Sequence, residues 1–459
     1  MSSPSFLPFV SCSYLTLDIL YPIIGICQVL VTAASMHFGI QWSMPASALQ
    51  LTDPSVEVVL AYASTGLGHL RVTNALFEAA PKGVFPHLLK TRDQTASTLH
   101  RLTSMNPLSR SLLEWSQNGL PEAVFTKGYR TFLRSNHRGI QAELATLIEQ
   151  EFNIVKTVLI VATHFGLAHQ IAGAKAALSK QLGVKIILAV VVTDDSPQRI
   201  WYVEDADILF VPSYETKSSL EAYGKRKGLK KLKMHVVPYP LSPRLSVSLS
   251  PKNMQKRKLQ CDPAEKSRIE VCVPISGAAV NLDYIENLMS AMYRKNPRFF
   301  FYVVARQNMY TKGFLQKLSR RPYVSLITSI HDREIVKYYN DLLSSTVISF
   351  EITKPSEQSF KVLLPVTSVG GATLLLSEPV GRQEYDNLDF LKRYGYLNSR
   401  AFSTSADASV SAEMIVRMHT EGVFLRAYRT EKSKASHNIS SRGAEQFWTE
   451  LSHLLTAGK

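Results

Sequence analysis

The chain has 459 residues, 45% of them hydrophobic, which allows two or three domains with sizeable cores. A formal net charge of +15 points to anionic partners: nucleic acid, phosphorylated small molecules or an acidic membrane surface. Four cysteines, Cys12, Cys27, Cys261 and Cys272, stand without metal-ligand spacing, so neither a zinc module nor a disulfide framework is expected and a reducing cytosol fits best.

The charge is unevenly spread. No Lys or Arg precedes Arg71, and residues 1–54 form a separate apolar segment. Within it, Ile19 to Met36 carries no charge and has the length of a marginal membrane span, interrupted by Pro22 and Gly25. The leading residues lack the positive charge of a secretory signal. A membrane anchor, an interfacial helix and a helix packed on the body all fit, as does an extension that is not normally translated. The basic bias that follows would leave the body on the cytoplasmic side of a true span.

From Val56 onward, short apolar runs alternate with amphipathic stretches, the pattern of parallel strands with crossover helices. In the first half the expected strands are 57–62, 157–161, 185–192, 208–211 and 234–237, with a long helical region over 99–151. Residues 55–240 therefore read as one doubly wound domain. Residues 241–267, rich in Pro, Ser and Lys, read as a linker. Residues 268–400 repeat the alternation, with strands at 269–274, 299–304, 324–328, 346–351 and 373–376, and helices at 282–295, 310–319, 332–341 and 385–394. The tail, 401–459, is Ser-rich and ends in a helix carrying Phe447, Leu451 and Leu454 on one stripe. Two doubly wound domains imply a cleft between them, with ligands beyond the strand ends.

The chemistry-bearing residues fall at those ends. The first strand runs into "STGLGH", where Gly66 and Gly68 allow a tight turn, the next helix offers its N-terminus to an anion or hydroxyl, and His69 is a candidate base. A plain strand-to-helix turn with a capping His explains the same residues. A later strand ends in Asp194 and Asp195, adjacent carboxylates suited to acid/base or orienting work, or to a turn and N-cap. Ser213 reads as an N-cap with Glu215 in the first turn. In the second half, Ser276 and Gly277 form a turn able to hold a diphosphate at a helix end. Lys354, Pro355 and Ser356 suit either a phosphate site or a helix start. After 373–376 comes "EPVGRQEYDN", read as a helix cap or as a ligand loop.

Four motifs in this order resemble GT-B glycosyltransferases, the group containing monogalactosyldiacylglycerol synthase, processive diacylglycerol glucosyltransferases and the N-acetylglucosaminyltransferase that makes lipid II. The resemblance spans Val56 to Leu397. It rests on "STGLGH", on "VVTDDSPQRIWYVEDADILFVPSYETKSSLEAYG", on "ITKPS" against the family's TKPGG, and on "PVGRQEYDNLDFLKRYG" against PGQE..N..FL...G. It implies a GT-B fold: two doubly wound Rossmann-like domains facing a central cleft.

It also implies roles. His69 and Asp194 would be catalytic, and Gly66 and Gly68 would form the acceptor-side loop. Ser276, Gly277, Lys354, Ser356, Glu357, Gln383, Glu384 and Asn387 would bind the donor. The implied partners are a nucleotide-sugar donor (UDP-linked), a lipid or lipid-linked acceptor and an anionic membrane surface. No metal and no cofactor is implied, the nucleotide sugar being a substrate. The implied location is cytoplasmic, peripheral or N-terminally anchored at the membrane. Nucleic acid is disfavoured, because the basic runs 224–233 and 252–258 lack interleaved aromatics. The sequence departs from the family where Ser356 and Glu357 replace two glycines, where Val362 occupies the position of a ribose-binding Glu, and in "PISGAAVN", which is poorer in glycine. Those departures leave two alternatives beside a transferase: an inactive nucleotide- or sugar-binding GT-B protein, and a sugar-nucleotide epimerase.

Overall fold

Continuous apolar runs such as 58–62, 271–274 and 374–376 are buried on both faces in a parallel sheet covered by helices on each side. The computed structural model describes residues 51–63, 67–91, 119–152, 154–429 and 439–457. The apolar segment 19–36, Cys12, Cys27, Gly66 and residues 92–118 of the expected helical region lie outside the described residues.

The first domain holds strands β1 (Val56–Tyr62), β2 (His87–Lys90), β3 (Thr157–Ala162), β4 (Lys185–Val191), β5 (Ile208–Val211) and β6 (Met234–Val236). They form one parallel sheet in the order β2-β1-β3-β4-β5-β6. Its helices are α1 (Leu67–Glu78), α2 (Gly119–Ser135), α3 (Arg138–Glu151), α4 (Phe165–Leu182) and α5 (Tyr214–Lys227). As expected, Ser213 caps α5, accepting from Thr216 N at 3.1 Å.

The second domain holds β7 (Ile269–Pro274), β8 (Phe299–Arg306), β9 (Val324–Ser329), β10 (Phe350–Thr353), β11 (Thr373–Leu376) and β12 (Ala401–Ser403), again all parallel, in the order β12-β11-β10-β7-β8-β9. The chain reverses direction across the sheet between β7 and β10, so the turns after those two strands flank a topological switch point, where doubly wound sheets bind ligands. The two doubly wound domains expected from the sequence are thus present.

Several boundaries differ from the sequence reading. The segment read as a linker contains a three-turn helix, α6 (Pro251–Cys261), capped by Ser250 and started by Pro251. Arg257 of α6 is fully buried and donates to the carbonyls of Val366, Ser368 and Val369, so it is not part of a surface charge run. Strand 346–351 begins later, at Phe350, where pairing with Val271 and Thr373 starts. The edge strands β2 and β12 were not expected. The helix expected after Ser356 is a seven-residue 3-10 helix, Glu357–Leu363, longer than such helices usually run.

The second domain continues with α7 (Leu282–Lys295), α8 (Lys312–Leu318), α9 (Asp332–Ser345), α10 (Arg382–Arg393), α11 (Ala408–Thr420) and α12 (Val423–Arg429). The final helix, α13 (Gly443–Ala457), returns to the first domain. Its buried Trp448 donates Nε1–H to Leu76 O at 2.8 Å, and Phe447 packs edge-on against Phe210 with ring centroids 4.7 Å apart. The linker is also built in: Gly370 N donates to Leu245 O at 2.9 Å, and a Cβ on Gly371 would lie 2.0 Å from Pro365 O. The glycine pair at 370–371 therefore serves close packing, Gly370 against Leu245 and Gly371 against the backbone of Pro365 and Val366.

Candidate functional site

The loops after the strand ends of the two sheets meet. On the first side, His69 in the opening turn of α1 reaches across to the end of β3, with Nδ1 2.8 Å from Thr163 O and 3.0 Å from Thr193 Oγ1. A ring nitrogen against a carbonyl must carry the proton, so the neutral ring has its lone pair on Nε2. Around it lie His164 (ring centroids 4.7 Å apart, edge-on) and Trp201 (6.5 Å), with Phe165 packed between the latter two. The sequence reading missed His164. Its signal was a strand end at Ala162 followed by a helix start, since His164 caps α4.

Thr193 puts Asp194 beside this group. Asp194 is half-buried, and its removal from water pushes its carboxyl up to about 8, against a stabilising hydrogen bond from Asn387. Asp195 has another role. It accepts from Ser213 Oγ and from Thr216 Oγ1 (2.8 Å), and ion-pairs with Arg393 of α10. It ties the two domains together and braces Ser213, the residue that caps α5, without capping a helix itself.

On the second side, Asn387 is fully buried on α10 and uses its amide across the seam. Its Oδ1 accepts from Asp195 N at 2.9 Å, and its Nδ2 donates to Asp194 Oδ1 and to Pro355 O, each at 3.1 Å. Gln383 donates to Gln198 Oε1 at 3.1 Å, and Ser196 Oγ donates to Asp386 Oδ2 at 2.5 Å. Glu384 is buried and works locally, pairing with Lys354 and accepting from Val380 N at 2.9 Å in the first turn of α10. Burial works against the Lys354 ammonium, yet Glu384 beside it holds it above its ordinary value.

Glu357 projects from the start of the 3-10 helix onto the first turn of α1. A Cβ on Gly68 would lie 2.7 Å from Glu357 Cδ, so a larger residue there would require the carboxylate to shift. Glu357 pairs with Arg71 Nη1 at 2.8 Å. Burial disfavours its charged form, but Arg71 and Lys354 together hold the carboxyl below its usual range. Arg71, another residue the sequence reading missed, sits in a socket. Its guanidinium lies 5.2 Å from the centre of the Tyr339 ring, and the Gln358 amide oxygen, turned toward it, accepts from Nε at 2.9 Å. Ser356 is buried at the start of the same 3-10 helix. Val362 is buried in the apolar core.

Across the switch point, Ser276 and Gly277 form the turn after β7. Ser276 Oγ has no hydrogen-bond partner among the described residues. Ala279 and Asn281 follow in left-handed conformations, with φ of 52° and 60°. Beside this turn is an open hollow of about 640 Å³ lined by Asn281, Tyr284, Tyr310, Phe314 and Lys317, among others. Of the expected site residues, Gly68, His69 and Asp194 are thus brought together with Lys354, Ser356, Glu357, Gln383, Glu384 and Asn387 at one seam. Ser276 and Gly277 stand at the adjoining switch point. Among the described residues, no group of three or more His, Cys, Asp or Glu side chains is placed to hold a metal ion.

No family model matches the sequence, and no curated protein matches it at a significant level. Over 87% of this chain, the structure is similar to UGT89C1 of Arabidopsis thaliana complexed with UDP-L-rhamnose, at 13% identity, covering 98% of that chain with a TM-score of 0.47. It is similar over the same share to MnaA of S. aureus in a UDP co-structure (12% identity, 97% of that chain, TM-score 0.46). A third such structure is a UDP-GlcNAc 2-epimerase from Neisseria meningitidis bound to UDP-GlcNAc (13% identity, 100% of that chain, TM-score 0.46).

Two outcomes follow from this geometry. Because the folded carboxyl of Asp194 binds a proton up to about pH 8 and an unfolded one only to about pH 4, stability falls as pH rises between those values. Asp194→Asn flattens that slope in urea titrations across pH 4 to 8; an identical slope in both proteins contradicts the assignment. In a double-mutant cycle, Gly68→Ala destabilises the wild type by driving Glu357 off Arg71. In a Glu357→Ala background the same change is neutral or stabilising, giving a coupling of about 1 kcal/mol or more. Equal costs in the two backgrounds contradict the contact.

Proposed function

We propose that the chain is a metal-independent glycosyltransferase that moves a sugar from a nucleoside-diphosphate donor, UDP-linked, to a hydroxyl of a lipid or lipid-linked acceptor. The observation that carries this reading is the meeting of His69 and Asp194, from the strand ends of the first sheet, with Lys354, Glu357 and Asn387 from those of the second. The four-motif resemblance supports it independently.

In this reading the acceptor hydroxyl approaches from the first domain and the donor lies along the second. The lone pair on Nε2 of His69 takes the acceptor proton. The acceptor oxygen bonds to the anomeric carbon as the carbon–oxygen bond to the diphosphate breaks. Asp194, protonated at neutral pH, acts as a hydrogen-bond donor that orients the hydroxyl, which leaves His69 as the base. The departing diphosphate is stabilised by the turn at Ser276 and Gly277 and by the Lys354 ammonium. The hollow beside Asn281 and Tyr310 has the size of a ligand pocket and takes the nucleoside.

Membrane-surface action is part of the proposal. Lys225, Arg226, Lys227, Lys230, Lys231 and Lys233 are all exposed at and beyond the end of α5, a cluster suited to anionic head groups. Among the described residues, no helix is long and apolar enough to cross a membrane.

A second reading, nucleotide or sugar binding without transfer, is favoured by one observation: Lys354, Glu357, Gln383, Glu384 and Asn387 are all engaged by protein partners. A calorimetric screen of nucleotide sugars followed by transfer assays on lipid extracts separates the two. For a transferase, His69→Ala lowers turnover by about 10²-fold or more while donor affinity changes little. Binding with no product from the wild type establishes the second reading, and no binding by the wild type overturns both.

A further inference from the structure

The chain leaving β7 is held in a conformation that its residues disfavour. Ser276 O accepts from Ala279 N at 2.9 Å, and the backbone then passes through Ala279 and Asn281 with φ of 52° and 60°. Left-handed backbone costs any residue with a Cβ, and neither position carries the glycine that would remove the cost. Asn281 occupies the N-cap of α7, yet its side chain makes no capping bond. An asparagine there normally turns its oxygen back onto the helix. Strain of this kind clusters at ligand sites, and here it lies beside an unused polar group.

The same segment lines the open hollow of about 640 Å³. Tyr310 lines it too, on a turn fixed by Asn308 Oδ1, which accepts from the backbone N–H groups of Tyr310 (2.9 Å) and Thr311 (3.0 Å). Other polar groups of the lining are already matched. The Tyr284 hydroxyl lies 2.7 Å from Thr404 Oγ1 and 3.1 Å from Ser411 Oγ, and Lys317 faces Glu286 at 3.3 Å. Asn281 and Asp283 are both exposed in the wall, and their side chains have no partner among the described residues. We infer that Asp283 and Asn281 grip the ribose of the bound nucleotide, the Asp283 carboxylate accepting from the vicinal 2′- and 3′-hydroxyls and the Asn281 amide completing the contact. This assignment rests on the reading of the hollow as the nucleoside site.

Charge selects the ribose over the diphosphate. Lys317, the cation of the lining, is taken by Glu286, so a phosphate in the hollow would meet the Asp283 carboxylate without a spare cation. A vicinal diol instead offers two donors to a group that only accepts, and hydrogen bonds to a charged acceptor are the strong ones. The diphosphate has its own place in the turn that leads into the hollow, by the orphan Ser276 Oγ. A nucleotide lying from that turn into the hollow therefore brings its ribose to the start of α7.

Calorimetry with UDP and 2′-deoxy-UDP on the wild type, Asp283→Ala and Asn281→Gly tests this, with melting temperatures measured without ligand. The wild type is expected to bind UDP about tenfold more tightly than 2′-deoxy-UDP. Asp283→Ala weakens UDP by about tenfold and the deoxynucleotide less, which erases most of that discrimination. Asn281→Gly removes the amide and relieves the left-handed strain, so its melting temperature equals or exceeds that of the wild type while UDP binding weakens. Unchanged UDP affinity in either variant overturns the paired contact and leaves the parent reading intact. Equal weakening of both nucleotides in Asp283→Ala overturns the ribose assignment. A wild type that binds neither nucleotide overturns the parent reading and this inference with it.

Discussion

The arrangement depends on one buried amide. Asn387 accepts from the backbone of Asp195 and donates to the Asp194 carboxyl in one domain and the Pro355 carbonyl in the other. A fully buried amide is tolerated only when its oxygen and its N–H groups find partners, and here those partners come from both sheets. The requirement fixes how α10 meets the end of β4. It thereby sets the relation of His69 and Asp194 to the loop after β10. The pairs Gln383–Gln198, Ser196–Asp386 and Arg393–Asp195 follow the same line of contact.

The second constraint is electrostatic. Two cations and two carboxylates are drawn into the seam as matched pairs, Arg71–Glu357 and Lys354–Glu384. Burying a charge without a partner is strongly unfavourable, so each side chain that enters brings its counter-ion. The carboxylate of Glu357 lies over Gly68 in the first turn of α1, an end suited to negative charge. Its charge is matched within this chain by Arg71, whose guanidinium is held by Gln358 and Tyr339. Beneath it, Lys361, Glu351 and Tyr339 form a buried polar cluster that carries the 3-10 helix.

Much of the fold was legible because central parallel strands are predominantly apolar runs: β1, β3, β4, β5, β7 and β11 lie where those runs do. The short edge strands His87–Lys90 and Ala401–Ser403 were not, since three or four residues carry too little pattern. Helix α6 was hidden by the Pro-Ser-Lys composition around it, although Ser250 followed by Pro251 is a helix-start signal. At the site, His69, Asp194, Lys354 and Asn387 were visible as polar residues just beyond strand ends. Arg71 was not. It is a residue in the second turn of a helix, and it gains its place only from Glu357, Gln358 and Tyr339 of the second domain.

The central claim is that the ends of both sheets share one nucleotide-sugar ligand. Hydrogen–deuterium exchange over residues 193–198 and 381–388, with and without the UDP-sugar that the protein prefers, tests it most directly. The account predicts that the ligand changes protection in both segments together. A change confined to one domain, or to neither, would contradict it.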